Sequence, residues 1–134
     1  MIQPTVLETP HCTFVLNQER LLIQRFKPSM RFEPRLIEHA SAVRDRLIGD
    51  APCALLVTIP AAVPVNPDAS NTDHFQGERS RRRIIALTVV AEGQLLRSAA
   101  KLYFAWFQQA FPVLVTDSEA HAMDWLREWL RDAA

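Results

Sequence analysis

The chain has 134 residues, a length that suits a single domain, and we treat residues 1–134 as one unit. Hydrophobic residues make up 49% and charged residues 22%, which is typical of a folded globular protein and excludes a disordered chain. Lys plus Arg and Asp plus Glu number 15 each, so the formal net charge is zero. This balance argues against a nucleic-acid partner held by bulk charge.

We expect neither a membrane span nor a signal peptide in this sequence. No run of about 18 apolar residues occurs, so we expect no membrane-spanning helix. Residues 1–10 lack the basic segment and apolar core of a signal peptide. Cys12 and Cys53 both lie in apolar runs, where reduced and buried thiols are the more common state. The alternative is a disulfide between neighbouring strands, which needs an oxidising compartment. We therefore expect a cytoplasmic protein.

The first half of the chain predicts a hairpin followed by a helix. Cys12 to Leu16 and Arg20 to Phe26 are extended apolar runs three residues apart, which is typical of a β-hairpin. Pro34 favours the first turn of a helix, and apolar residues then recur on one face as far as position 48. Gly49 predicts the end of this helix after about four turns.

The middle of the chain predicts two buried strands separated by a proline-rich segment. Cys53 to Ile59 is a continuous apolar run, which indicates a central strand buried on both faces. Three prolines between positions 60 and 68 exclude regular helix or central strand there. Asp68 or Ser70 is a candidate cap for a short helix that reaches roughly Gly77. Arg83 to Val90 is the next buried strand.

The last third returns to helical periodicity. Glu92 to Ala110 carries two adjoining apolar stripes, one at positions 95, 99, 102 and 106 and the other at positions 96, 103 and 107. Val113 to Val115 is a short strand. The run Thr116 to Glu119 fits a capping box, with Thr116 or Asp117 as the cap of a terminal helix. The inner face of that helix is predicted at Ala122, Trp125, Leu126 and Trp129.

The element order is thus β-β-α-β-(α)-β-α-β-α. Strands followed by helices of this length imply parallel neighbours joined by right-handed crossovers. The sequence therefore predicts a single α/β domain with a mostly parallel five-stranded sheet, in which the first hairpin adds one antiparallel edge strand.

The segment from Arg83 to Leu126 resembles the C-terminal half of SpoIIAA-like, or STAS-like, bacterial domains. In those domains a strand introduced by Arg precedes a helix, and a short strand and an acidic Glu-Ala-x-x-Trp-Leu type helix close the fold. The residues that carry the resemblance here are Asp117, Glu119, Ala120, Trp125 and Leu126. The resemblance implies a SpoIIAA/STAS-like fold and a non-catalytic regulatory role through contact with a protein partner.

The resemblance also raises the question of whether this chain has a phosphorylatable serine. The regulatory members carry this serine at the start of the helix after the central strand, beside an Asp at the strand end. Here the strand ends in Thr58-Ile59-Pro60 without that Asp, and Ser70 is the nearest positional match. Ser70 is therefore a candidate phosphosite, and a helix cap or loop serine is the alternative.

Residue patterns for catalysis or metal binding are weak. The densest cluster of ligand-type residues is Asp68, Asp73 and His74, which could gather a divalent ion or act in acid–base chemistry, with solvated loop residues as the alternative. No Gly-x-Ser-x-Gly elbow occurs, and burial would not activate Cys53. We expect no catalytic residue, no cofactor and no metal, and hence a protein that is not an enzyme.

Two surface features remain. The block Arg79 to Arg83 has no interleaved aromatic residues, which favours a solvated turn over a nucleic-acid site. The predicted helix between positions 92 and 110 is apolar nearly all round, so its aromatic residues form either a second core layer or an interface. These candidate interface residues are Tyr103, Phe104, Trp106, Phe107 and Phe111.

A homodimer is the simplest version of such an interface. The alternative function is a small-molecule or lipid-binding module. Its cleft would lie between the proline-rich segment and the aromatic helix, and the block Arg79 to Arg83 would contact an anion.

Overall fold

A computed structural model of the chain describes residues 4–28, 31, 33–61, 74–75 and 83–133. Six strands and three helices lie wholly within these residues. The strands are β1 (Thr5–Glu8), β2 (Cys12–Leu16), β3 (Leu21–Phe26), β4 (Cys53–Ile59), β5 (Ile84–Ala91) and β6 (Val113–Thr116), and the helices are α1 (Pro34–Ile48), α2 (Gln94–Trp106) and α3 (Glu119–Ala133).

The strands form one mixed sheet in which spatial order follows chain order from β1 to β6. Strands β1, β2 and β3 pair antiparallel, whereas β3, β4, β5 and β6 pair parallel. The predicted α/β class is confirmed, but the described sheet has six strands and not five. The strand that the sequence missed is β1, which pairs only with β2 and has all four residues exposed. An exposed edge strand carries no buried alternation for a sequence pattern to reveal.

Helices cover both faces of the sheet, with α1 and α2 on one face and α3 on the other. The core on the first face includes Phe14, Leu22 and Leu55. On the second face, Leu56 packs with Ala122 and Leu126 of α3, which are both buried. The prediction that β4 and β5 are buried on both faces is confirmed. The two central strands are therefore covered on both faces by helical layers.

Helix α1 begins at Pro34 and ends before Gly49, as predicted, and Gly49 has a φ of +65° that suits glycine. Its C-terminal end is held by the guanidinium of Arg20. The Arg20 nitrogens donate hydrogen bonds to the carbonyl oxygens of Ile48 (2.8 Å), Ala51 (2.6 Å) and Pro52 (3.0 Å). A cation that binds the last carbonyl groups of a helix stabilises the helix end and fixes the entry into β4.

Helix α3 is capped by Ser118, so the predicted cap at Thr116 or Asp117 is wrong. The backbone N–H of His121 donates to the Ser118 Oγ at 3.1 Å. Thr116 instead accepts a hydrogen bond from the Ser118 backbone N–H at 3.2 Å, which shapes the turn before the helix. Several consecutive residues here carry a side-chain oxygen, and the backbone path decides which one meets the free N–H groups of the first turn.

Candidate functional site

A cavity of about 160 Å³ lies between the sheet and helices α1 and α2. It opens beside the carboxyl ends of the parallel strands β3, β4 and β5, where open α/β sheets commonly hold ligands. Its walls are mostly apolar and include Phe26, Ile37, Val57, Ile59, Val89 and Leu96. The cavity thus has the apolar walls typical of small-molecule sites, and a few polar side chains also line it.

Gln24 is the polar residue of the sheet that lines this cavity. It lies on β3 between Leu22 and Phe26 on the face that α1 covers, and its side chain is only 2% exposed. Its Nε2 donates a long hydrogen bond to the Sγ of Cys12, at 3.9 Å. Its Oε1 is buried and has no hydrogen-bond partner among the described residues. A buried carbonyl oxygen without a donor is destabilising, because it has lost its water.

The Cys12 thiol beside Gln24 remains protonated. Burial raises the pKa of Cys12 to about 12, although the hydrogen bond from Gln24 acts in the opposite direction. Burial likewise raises the pKa of Cys53 to about 11. Both cysteines are free and buried, which confirms the expected reduced thiols and gives no activated nucleophile at either position.

Arg44 of α1 supplies a buried cation to the cavity wall. Its Nη2 donates to the backbone carbonyl of His74 at 3.0 Å, and its Nε approaches the Oδ1 of Asp45 at 3.3 Å. The guanidinium lies 4.6 Å from the centre of the Phe75 ring. Burial lowers the pKa of Arg44, and the Asp45 carboxylate opposes this shift. Arg44 therefore attaches the short segment 74–75 to α1.

The same short segment is attached to α2. The backbone N–H of His74 donates to the Tyr103 hydroxyl oxygen at 2.9 Å, and the two rings stack with centres 6.0 Å apart. The Phe75 ring contacts the rings of Phe104 and Phe111 at centre distances of 5.8 Å and 6.1 Å. Residues 74–75 thus bridge α1 and α2 and close one side of the cavity.

Helix α2 also has an exposed apolar face on the side away from the sheet. Leu95, Leu102 and Trp106 are 86%, 72% and 81% exposed. Together with Ala99, which is exposed and also lines the cavity, they follow the 4-3-4 spacing of a heptad seam. These four residues are called the outer stripe below. The inward side of α2 carries Leu96, Ala100, Tyr103 and Phe104, which pack against the core.

The predicted interface residues divide between these two sides of α2. Phe104 and Tyr103 pack inward, and Phe111 is buried in the core. Phe107 is half-buried with its ring 5.1 Å from that of Tyr103. Trp106 is the member of the predicted set that lies in the outer stripe. The sequence therefore identified the apolar excess of the helix, but it did not identify which stripe faces outward.

Several other predicted site residues fall outside the described part of the chain. Ser70, Asp68 and Asp73 lie there, as does the predicted short helix apart from a turn at residues 74–75. His74 is described and belongs to the cavity. Of the block Arg79 to Arg83, only Arg83 is described, and it is half-buried.

The described ranges contain neither a metal-binding cluster nor a membrane-spanning helix. Those ranges contain no group of three or more His, Cys, Asp or Glu residues placed to hold a metal ion. They also contain no helix with both the length and the apolar character needed to cross a bilayer.

Gln24 is one of the cavity residues that the sequence analysis did not identify, as are Ser41 and Arg44. A signal for it exists in the alternation of β3, because Leu22 and Phe26 mark the buried face and Gln24 falls between them on that same face. A glutamine at an inward position of a strand is uncommon and indicates either a satisfied buried amide or a binding site. The structure is needed to show that one of its two polar atoms lacks a partner.

Comparison with known proteins supports the fold. No family model matches the sequence, and no curated protein matches it. Among solved structures, the chain is similar to an uncharacterised protein of the DUF3478 family with a SpoIIAA-like fold from Shewanella loihica PV-4. The two share 13% sequence identity, the similarity covers 92% of each chain, and the TM-score is 0.57. The chain therefore has a SpoIIAA-like fold, as the sequence resemblance implied.

Proposed function

We propose that this SpoIIAA-like domain is a non-catalytic module that binds a small, largely apolar molecule in the cavity between the sheet and helices α1 and α2. The observation that carries the proposal is the cavity itself, which has a volume of about 160 Å³ and mostly apolar walls. A few polar side chains, such as Ser41 and Tyr103, also line it, and this combination is typical of small-molecule sites.

The size and position of the cavity agree with this proposal. Engineered cavities of about 150 Å³ with apolar walls bind single-ring molecules such as benzene. The cavity here has about 160 Å³ and lies at the carboxyl ends of parallel strands. The contacts of Arg44 and Tyr103 with residues 74–75 hold its cover in place. The volume therefore suits a ligand of about one ring.

The test is a titration with toluene followed by NMR of the methyl groups that line the cavity. We expect saturable shifts at Ile37, Val57 and Leu96. The variant Ala100→Leu, which adds volume to the cavity wall from α2, should abolish these shifts. The matched variant Ala105→Leu, at an exposed position of the same helix, should retain them. The absence of saturable shifts in the wild-type protein would contradict the proposal.

A second candidate function is self-association through the outer stripe, which would make the domain a homodimeric regulator. Three large apolar side chains exposed on one helix face, at heptad spacing, are suited to pack against another helix with the same spacing. The same stripe on a second copy meets this requirement in a two-fold arrangement. Because Phe104 packs inward, the substitutions that test self-association are those at Leu102 and Trp106.

Light scattering coupled to size-exclusion chromatography tests this second candidate. At tens of micromolar we expect a mass of two chains for the wild type and of one chain for Leu102→Asp. Lys101→Asp, which introduces the same side chain at the exposed neighbouring position, should remain dimeric. A monomeric wild type would rule out self-association and leave the ligand-binding proposal unaffected.

A further inference from the structure

Strand β6 forms one edge of the described sheet, and its outer side carries main-chain groups that no strand uses. It pairs in parallel with β5, with Leu87 opposite Val113 in the register. The backbone N–H of Leu87 donates to the carbonyl oxygen of Pro112 at 3.0 Å. Bonded residues alternate along a parallel ladder, so the N–H and C=O groups of Val113 and Val115 are directed away from β5. These groups make no hydrogen bond to any residue that the structure describes.

The side chains of β6 give this edge an apolar character. Val113, Leu114 and Val115 are consecutive apolar residues, and each of them is only half-buried. Native sheets commonly protect an open edge with a lysine, a proline or a covering loop, because unpaired N–H and C=O groups recruit further strands. The residues of β6 include neither lysine nor proline. The edge therefore offers both the hydrogen-bonding groups and the apolar side chains that an added strand needs.

A groove of about 590 Å³ lies beside this edge, between β6 and the C-terminal half of α2. Phe104 of α2 lines it, and beyond the helix so do Gln108, Gln109 and the buried Phe111. A peptide that pairs with β6 would direct alternate side chains towards this groove. In strand addition, main-chain hydrogen bonds give affinity, and pockets for alternate side chains give specificity. The groove and the open edge together meet both requirements.

The charge of the groove selects the kind of peptide. Lys101 of α2 is exposed and lines the groove, and no aspartate or glutamate of the described ranges lines it. A carboxylate on an incoming segment is attracted by this ammonium group, whereas a lysine or arginine there is repelled. The groove is therefore complementary to an acidic segment and not to a basic one.

We infer that the β6 edge and its groove bind an extended, acidic segment of a partner protein as an added strand of the sheet. Val113 and Val115 provide the main-chain hydrogen bonds, the groove takes alternate side chains, and Lys101 pairs with a carboxylate. No residue of β6 lines the cavity between the sheet and helices α1 and α2, so this inference goes beyond the proposed function and does not depend on it.

The probe is the peptide acetyl-Glu-Val-Thr-Val-Glu-amide, titrated into ¹⁵N-labelled protein and followed by NMR. We expect saturable shifts and slower hydrogen exchange at the backbone amides of Val113 and Val115. The register directs the amide of Leu114 to β5, so its exchange should change little and serves as an internal control.

Two variants test the part that charge plays. Lys101→Glu should weaken binding of the acidic peptide about 3- to 10-fold, because it replaces an exposed attraction with a repulsion. Arg35→Glu, which makes the same charge change at an exposed position of α1, should leave the affinity unchanged. The peptide acetyl-Lys-Val-Thr-Val-Lys-amide should bind the wild type more weakly than the acidic peptide does.

A methylated peptide tests strand addition without any change to the protein. N-methylation of the inner amides of the acidic peptide removes its main-chain donors but keeps its side chains and charges, so its binding should be lost. Equal binding of the methylated and unmethylated peptides, equal binding of the basic and acidic peptides, or no saturable shift at Val113 and Val115 would each overturn the inference. Slow exchange of these two amides in the protein alone that becomes faster on dilution would assign the edge to a second copy, and would also overturn it.

Discussion

Replacing Gln24 with methionine should stabilise the protein when no ligand is present. Methionine has nearly the same length as glutamine and continues the apolar face that Leu22 and Phe26 form on β3. The substitution removes a buried carbonyl oxygen that lacks a partner, together with one long contact from Nε2 to the Cys12 Sγ at 3.9 Å. The first change is favourable, and the second costs little because the contact is weak.

The size of the effect follows from these two groups. A buried acceptor without a donor costs about 1–3 kcal/mol, so the free energy of unfolding should rise by about 1–2 kcal/mol after the lost sulfur contact is subtracted. The midpoint of thermal unfolding should rise by about 4 °C for each kcal/mol in a domain of this size.

Urea denaturation followed by circular dichroism measures the effect, with an unchanged slope as the sign that only stability has altered. Thr88→Val is the matched control, because Thr88 Oγ1 is also buried without a partner but lies on the α3 side of the sheet. Both variants should be more stable than the wild type. A Gln24→Met protein that unfolds at lower urea concentration than the wild type would refute the reasoning, since it would mean that the amide makes stabilising contacts.

Three further predictions concern the rest of the domain. Arg20→Lys should lower the free energy of unfolding by about 1–2 kcal/mol, because an ammonium group cannot replace three directed hydrogen bonds to carbonyls; an unchanged urea midpoint would contradict this. Cys12 and Cys53 should resist thiol reagents in the native state, and stability should fall as the pH rises above 9, since folding raises both pKa values and so favours the protonated thiols. The hydrogen bond from Arg25 lowers the pKa of Glu119, so the small stability difference between the wild type and Arg25→Gln should shrink as the pH falls below 4.5, and a difference that grows would count against the pair.

Local sequence patterns were sufficient for the elements whose signals are local. The apolar run of β4 has the predicted bounds, and α1 begins at Pro34 and ends before Gly49. These features depend on proline and glycine geometry and on unbroken hydrophobicity, which a single sequence displays. Strand β1 was missed because its stabilisation comes from pairing with β2 and not from burial. The cap of α3 was misplaced because backbone geometry selects Ser118 from several polar neighbours.

The candidate site required more than local patterns. Both apolar stripes of α2 are visible in the sequence, but each is equally periodic, and periodicity does not say which one faces the sheet. The structure places Tyr103 and Phe104 inside and leaves Leu102 and Trp106 exposed. The proposed interface therefore lies on the outer stripe, whereas Tyr103 and Phe104 of the inward stripe line the cavity.

The sequence by itself determined the α/β class, the buried central strands, the reduced cysteines and the apolar excess of α2, because each is recorded in neighbouring residues. Only the tertiary structure revealed the cavity. The cavity joins Gln24, Arg44, His74 and Tyr103, which come from a strand, two helices and a turn that are far apart in the chain. Hydrogen-bond satisfaction is a property of such distant neighbours, so the unpartnered oxygen of Gln24 becomes visible only when the chain has folded.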